Sequence, residues 1–588
     1  MKKNLTFILL ITIFLFTNCK NEKPGFLHAE GQNIVDAQGK NVVLRGVGLG
    51  GWMLQEGYML QTAGFAGTQY KIKEHIAHVA GTEGMEAFYE AWLANYCTKA
   101  DVDSMAAWGF NSIRLPMHYN LFTLAIENEP VEGEDTWLNQ GFEMVDNLLE
   151  WCGDNQMYLI LDLHAAPGGQ GKNADISDYN PDKPSLWESP ENQRKTIALW
   201  RNLAERYANE PWIGGFDLIN EPNWDFENSD NENGCNCNQN EQLWSLFHNI
   251  TKAIRQINQN HIIFLGGNCW GNNYKGIPNF TQWDNNIAIS FHKYWNFNNQ
   301  ESIQWVVDMR EEYKVPIWLG ESGENSNTWF SNAIRLIESN NIGWAWWPYK
   351  KIESSSSQVT ASKTQGYQNL LNFWKEKGVR PNPEQAKTWL LEQAEMLKLE
   401  NCKINYDLLD AMLRQPQGDK SAIPFKNHHI PGTIFAVDYD LGANNFAYFD
   451  TDTANYRTST NKNTSWNRGG KYRNDGVDIS ICNDKKTNGY CVTSTHQGEW
   501  LLYTVDVETA DKYHFETRYA AGLTPASFHF EVNNEVYPKI NILPKTAELD
   551  EWNTISSSNI ELKKGKNQII LRIDEGDFSI NFFNVTSK

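Results

Sequence analysis

Two glutamates stand in matching settings 100 positions apart (321 − 221) in this chain. Phe216, Leu218 and Ile219 form a short apolar run that stops at Asn220-Glu221-Pro222, and Pro316-Ile-Trp-Leu-Gly-Glu321 repeats the arrangement. A carboxylate at the end of a buried strand is a poor core residue, because the ionised group is costly to bury. It is well placed for chemistry if the strand belongs to a (β/α)8 barrel, whose sites are built at the C-terminal strand ends. Two carboxyl groups facing each other there suit the hydrolysis of a glycosidic bond. One is held neutral to protonate the leaving oxygen, and the other is ionised as nucleophile or base.

The elements that must position them repeat along the chain. Apolar strands are centred near residues 42, 112, 160, 216, 263, 289, 318 and 344, with amphipathic helices read between them at 100–108, 142–156, 193–208, 242–258, 303–313 and 329–339. Eight apolar strands alternating with helices give an α/β fold, a parallel (β/α)8 TIM barrel. An open doubly wound sheet is the alternative, but its GxGxxG fingerprint is missing, and Gly48-Leu-Gly-Gly51 has no Walker lysine either. From residue 423 the texture changes to short alternating segments with Asn, Gly and Asp turns, which reads as an all-β, jelly-roll-like sandwich. The expected organisation is a leader over 1–19, a tether over 20–30, the barrel over 31–415, a linker over 416–422 and the sandwich over 423–588.

Met1-Lys-Lys-Asn followed by apolar Leu5 to Phe16 has the form of a secretory signal, too short to span a bilayer. It ends at Thr17-Asn18-Cys19, like a bacterial lipoprotein cleavage site, so Cys19 is the expected lipid anchor and the cell envelope the expected location. A net charge of −21 argues against nucleic acid or an anionic membrane surface as partner. The 24 Trp and 23 Tyr suit a sugar polymer, whose C–H faces pack on aromatic rings. Cys235-Asn-Cys237 lacks the histidine or second cysteine pair of a zinc site, which leaves disulfides or free thiols. No metal or cofactor is expected, and a monomer is.

Ile113-Arg-Leu-Pro116, Asp162-Leu-His164, Leu218-Ile-Asn-Glu-Pro222, Phe291-His-Lys-Tyr294, Gly320-Glu321 and Gly343 to Trp347 stand in an order that resembles glycoside hydrolase family 5, the cellulase family. The resemblance covers about residues 30–380. It implies a retaining two-step hydrolysis with Glu221 as acid/base and Glu321 as nucleophile. It further implies that Arg114 and Tyr294 touch the nucleophile and that Asn220 bonds a sugar 2-hydroxyl. His164 and His292 would line the cleavage subsite, and Trp347 would be the sugar platform, held by a cis bond to Pro348. A surface ion pair for Arg114 and satisfied core histidines for His164 and His292 are the structural alternatives. Trp344 and Trp346 are expected in packing, Asp162 in a structural role, and Trp224 and Trp270 in further subsites. Arg45 to Trp52 and Asp162 to Gly168 look like the branch with β-1,3-glucanases; β-1,4 and β-1,3 linkages both stay open. A mannanase, a transglycosylase or a non-catalytic glycan-binding lipoprotein are the rivals.

Residues 423–588 resemble carbohydrate-binding module family 6 through Ile434 to Asp440, Asp475-Gly-Val-Asp478, Gly498 to Tyr503 and Phe578 to Phe583. The family's acidic calcium ligands are replaced by Phe435 and Val437, and its stacking aromatics by Ser494 and Leu549, while Asn581 is kept. Weak glucan binding and no calcium site are therefore expected. Trp500 and Trp552 are read as core, and Trp466 and Tyr472 as the first candidates for any other binding surface.

Overall fold

A computed structural model describes residues 25–456, 465–543 and 551–587. The leader with Cys19, and Leu549, lie outside the described residues. Among the described residues no helix is long and apolar enough to cross a membrane.

Eight parallel strands close into a barrel: β1 (Arg45–Gly48), β2 (Ser112–His118), β3 (Tyr158–Ala165), β4 (Ile213–Asp217), β5 (Ile263–Gly266), β6 (Ile287–Lys293), β7 (Ile317–Gly323) and β8 (Gly343–Trp347). β8 pairs with both β1 and β7, which completes the ring. Nearly every strand residue is buried, because one face fills the barrel and the other meets the helices. The helices start where sequence chemistry caps them. Ser189 accepts from the backbone of Asn192 ahead of the helix Pro190–Arg206, and Ser326 accepts from Trp329 ahead of Asn327–Ser339. A 28-residue helix, Gln69–Tyr96, was not read from the sequence. It breaks its own period at Gly81, where φ is 74°, so no single apolar stripe runs along it.

The tether reading fails at its C-terminal end. His28–Glu30 pairs with Asn33–Val35 in a hairpin, and Leu27 and Ile34 pack with Ile160, Ile262, Phe264 and Trp318. The hairpin thereby plugs the bottom of the barrel, where apolar side chains would otherwise meet water. Strand β1 also begins later than the apolar run suggests, at Arg45 rather than Asn41.

Beyond the barrel lie helices Gln365–Trp374, Pro383–Glu395 and Tyr406–Leu413. Residues from His428 onward form two antiparallel-rich sheets face to face, with Phe515, Phe528, Phe530 and Phe583 in the core between them.

Candidate active site

The site gathers at the C-terminal strand ends around Arg114 on β2. This guanidinium is 1% exposed and serves four partners. It donates to Glu321 Oε2 at 2.9 Å, to Asn220 Oδ1 at 2.8 Å and to Asp217 Oδ2 from two nitrogens at 3.0 and 3.1 Å, and Asp162 lies at 3.2 Å. Burial works against its charge, but Asp162, Asp217 and Glu321 outweigh it and keep it protonated. Tyr294 donates to the other oxygen of Glu321 at 2.8 Å. Glu321 therefore has a cation on one oxygen and a phenol on the other.

Glu221 sits opposite, in a left-handed backbone conformation with φ 43°, which costs about 1–2 kcal/mol in a non-glycine residue. Its Oε1 lies 2.6 Å from His292 Nδ1. A register shift between Phe291 and His292 on β6 brings His292 level with Glu321, and such bulges commonly re-aim side chains beside active sites. Oxygens of Glu221 and Glu321 and a His292 nitrogen all lie within 4.8 Å of one another. Among the described residues this is the one trio spaced to hold a metal ion, but the Arg114 cation is bonded to one member and opposes a second positive charge.

Electrostatics separate the two carboxyls. Burial, with a smaller push from Asp162 and a counter-pull from Arg114, raises Glu221 to about 8. Burial also raises Glu321, with a further push from Glu221, while His292 and Arg114 pull it back. Glu221 is accordingly protonated at neutral pH. An acid must carry its proton to donate it, so kcat/KM is expected to fall about tenfold per unit above pH ~8, where free Glu221 ionises. A pH–rate profile checks this; a rate still flat at pH 10 would count against Glu221 as acid.

The remaining predicted residues converge on the same place. His164 Nδ1 bonds Asp162 Oδ2 at 2.7 Å and its Nε2 lies 3.0 Å from the Asn220 amide nitrogen, so His164 and Arg114 together orient Asn220. Burial lowers His164 well below the ordinary histidine value, which keeps it neutral. The Trp347–Pro348 bond is cis, as expected, and the Trp347 ring lies parallel to His164 with centroids 5.0 Å apart. A β-carbon at Gly50 would sit 2.3 Å from the indole, so the glycine-rich turn after β1 exists to make room for Trp347. Trp344 and Trp346 are packing residues, 0% and 1% exposed. Asp162, read as structural, is tied directly to Arg114 and His164.

Four contributors were missed. Asp217 takes two bonds from Arg114; the sequence reading gives it no role. Glu56 is buried and raised well above the ordinary value by burial and then by the charges of Glu321 and Glu324. Its signal was a carboxylate shortly after strand β1. Tyr58 accepts from Trp347 Nε1 at 2.8 Å, and Lys351, which bonds Glu324, lies over its ring. Neither Tyr58 nor Glu324 lies in a motif.

The 170–190 and 223–240 loops, which follow β3 and β4, are pinned to each other. Asn223 bonds the backbone of Lys172 and Asn173, and a Cys235–Cys269 disulfide ties the 223–240 loop to the turn after β5. Cys237 and, among the described residues, five further cysteines are free thiols. Trp224 is buried, with the Lys172 ammonium 3.9 Å over its ring, so that face is closed to a sugar. Trp270 is half-buried and left-handed at φ 55°.

The sequence model described as "Cellulase (glycosyl hydrolase family 5)" matches residues 71–352. The barrel belongs to glycosyl hydrolase family 5. Its enzymes hydrolyse with retention, and the chain is a glycoside hydrolase of β-glycans. It is similar to a β-xylosidase of Phanerodontia chrysosporium, at 27% identity over 59% of this chain and 75% of that one. It is also similar to endoglucanase C of Acetivibrio thermocellus, at 25% over 46% and 88%. A third relative is a probable glucan 1,3-β-glucosidase A of Aspergillus clavatus, at 24% over 49% and 64%.

The C-terminal module matches "Carbohydrate binding module (family 35)" over residues 473–585, which corrects the family 6 reading. The stretches behind that reading, such as Gly498 to Tyr503 and Phe578 to Phe583, run along sandwich strands and specify the architecture more than the binding face. Asn581 is fully buried and donates to Asp484 and the Lys486 carbonyl, so it does not line an open cleft. Val437 lies in the core and Phe435 packs on Phe582. Trp500 and Trp552 are half-buried rather than core: Arg572 lies over the Trp500 ring, and Trp552 donates to Asn483. Tyr472 is covered by Lys403 of the barrel domain at 4.5 Å, which removes it as a sugar platform. Trp466 is half-buried.

Proposed function

We propose that this protein hydrolyses the β-glucosidic bonds of a glucan through a glycosyl-enzyme formed on Glu321. The observation that carries the mechanism is the separation of the carboxyls: oxygens of Glu221 and Glu321 lie within 4.8 Å of one another. That is close to the roughly 5–5.5 Å of retaining sites and short of the roughly 6.5–9.5 Å that leaves room for a water. Glu321, aligned by Arg114 and Tyr294, attacks the anomeric carbon. Glu221 gives its proton to the departing oxygen, then takes one from the incoming water. Asn220, held by Arg114 and His164, is the donor for the 2-hydroxyl, and Trp347 borders the same sugar.

A glucan is supported by the names of two of the three relatives, an endoglucanase and a probable glucan 1,3-β-glucosidase. The leader ending at Cys19 supports action at the cell envelope. A purified-enzyme screen on β-1,3-, β-1,4- and mixed-linkage glucans, xylan and mannan, with product sizing, tests the reading. Turnover of a glucan at least about tenfold above xylan and mannan is expected, a difference of about 1.4 kcal/mol in transition-state binding. Preference for xylan or mannan would replace the substrate while leaving the mechanism.

A further inference from the structure

The loop that follows the nucleophile strand is held from outside the barrel. After Glu321 the chain runs through Ser322 and Gly323 to Glu324, Asn325, Ser326 and Asn327. Asn325 and Ser326 are fully buried, and their side chains reach across to the sandwich domain, Ser326 while also capping the next barrel helix. Asn325 Nδ2 donates to the Asn455 carbonyl at 2.9 Å, and its Oδ1 accepts from the Asn455 N–H at 3.2 Å. Ser326 Oγ donates to the Thr453 carbonyl at 2.6 Å. Asn474 closes the clamp. Its Nδ2 donates to the Asn325 carbonyl at 2.8 Å and to Asn327 Oδ1 at 3.0 Å, and its carbonyl accepts from the Asn327 N–H at 3.0 Å. Asp407 sits beneath, one oxygen accepting from Asn327 Nδ2 at 2.7 Å and from the Asn474 N–H at 2.8 Å.

Domains of one chain ordinarily move relative to each other unless a large apolar contact joins them. Here Ala454 and Tyr456 pack on the barrel, Tyr456 against Phe297, and the amides beside them are buried and paired; a buried amide that loses its partner carries its full desolvation cost. Sliding the sandwich would break several such bonds together. The joint is therefore a fixed one.

Its neighbour in sequence reaches into the site. Glu324 is left-handed, with φ 54°. Its carbonyl accepts from Trp295 Nε1 at 3.1 Å, and its carboxylate bonds Lys351 at 2.9 Å, whose ammonium lies 5.4 Å over the Tyr58 ring. Tyr58 in turn accepts from Trp347 Nε1. Trp295 adjoins Tyr294, which bonds the nucleophile. One short segment thus connects the interdomain joint to the indole beside the sugar site and to the residue next to the nucleophile's phenol.

We propose that the sandwich is a fixed part of the active site, with Asn325 and Asn474 as positioning residues. By clamping residues 325–327 they set Glu324, and Glu324 sets Trp347 through Lys351 and Tyr58 and steadies the Tyr294–Trp295 turn. The module's first task is then to shape the catalytic site, whatever glycan its own surface takes. This deepens the glucanase reading and rests on Trp347 bordering the substrate sugar.

The test compares full-length wild type, Asn474→Ala, Ser326→Ala, Tyr58→Phe and the Asn474→Ala/Tyr58→Phe double variant. kcat and KM are measured on the best glucan from the screen at 25 °C, beside thermal unfolding. Asn474→Ala is expected to raise KM and lower kcat/KM about tenfold at a temperature where it is fully folded. Tyr58→Phe is expected to do likewise. The double variant is expected to fall little below Tyr58→Phe alone, because groups acting through one chain are not additive. Ser326→Ala loses its bond to Thr453 and the cap bond from Trp329 and gives the milder version of the same KM change, which keeps the test alive if Asn474→Ala does not fold. Wild-type kcat and KM with only a lowered Tm in Asn474→Ala and Ser326→Ala would overturn the proposal, as would strictly additive losses in the double variant. An inactive wild type would instead count against the glucanase reading, so the two failures are separable.

Discussion

Glu321→Gly is expected to lose at least about 10⁴-fold in kcat/KM on any glucan, because no other group is placed to trap the anomeric centre covalently. Arg114 and Tyr294 both bond this carboxylate; with it gone they hold an empty space large enough for a small anion. Azide added to the variant is expected to enter there and attack the face Glu321 would have attacked. The product is a glycosyl azide of inverted configuration, formed while Glu221 still protonates the leaving group. Azide rescue with a retained product would reassign the roles of the two glutamates, and full turnover without azide would remove Glu321 from the mechanism.

Glu221→Gly carries the second large effect and separates by leaving group. A glucan needs its departing oxygen protonated, so loss of the acid is expected to cost about 10²–10⁴-fold. An aryl glycoside with an acidic phenol leaves without help, so its first step survives. The glycosyl-enzyme then accumulates, because no base activates water, and both kcat and KM fall together. Azide needs no base, so it is expected to restore turnover and to give the azide of retained configuration. The pH profile supplies an independent reading: the alkaline limb set by Glu221, raised to about 8 by burial, is expected to vanish in azide-rescued Glu221→Gly. Equal losses on glucan and activated aryl glycoside would show that Glu221 does something other than acid catalysis.

These two residues were legible because their setting is local. An apolar run that ends in a carboxylate is visible in one dimension, and the strand period tells which end of the barrel it reaches. Arg114, His164, Asn220, His292, Tyr294 and Trp347 were legible through short motifs beside those strand ends. Asp217 was not, because one more residue on a buried strand carries no sign that Arg114 turns toward it. Glu56 and Tyr58 lie in an irregular loop after β1, where no period marks which side chains turn inward.

The sandwich shows the same division in sharper form. Its strands alternate, so an all-β module could be read, yet its family was misread and the surroundings of two side chains were not visible. Asn581 looked like a ligand residue and is sealed under Asp484 and Lys486. Tyr472 looked like an open aromatic and is covered by a lysine from the other domain.

The sequence by itself determined the eight-stranded barrel, the module behind it and the two glutamates, since each follows from periodicity and from residues adjacent in the chain. Only the tertiary structure decided which glutamate stays protonated, since burial and the neighbours of a carboxyl set its proton affinity and those neighbours, Arg114, Asp162 and His292, come from three different strands. It alone decided that Arg114 binds Glu321, Asp217 and Asn220 at once, across 103 to 207 positions of chain. And it alone brought Asn474 against Asn325, 149 positions apart, because a buried amide pair between domains depends on docking geometry that no local pattern encodes.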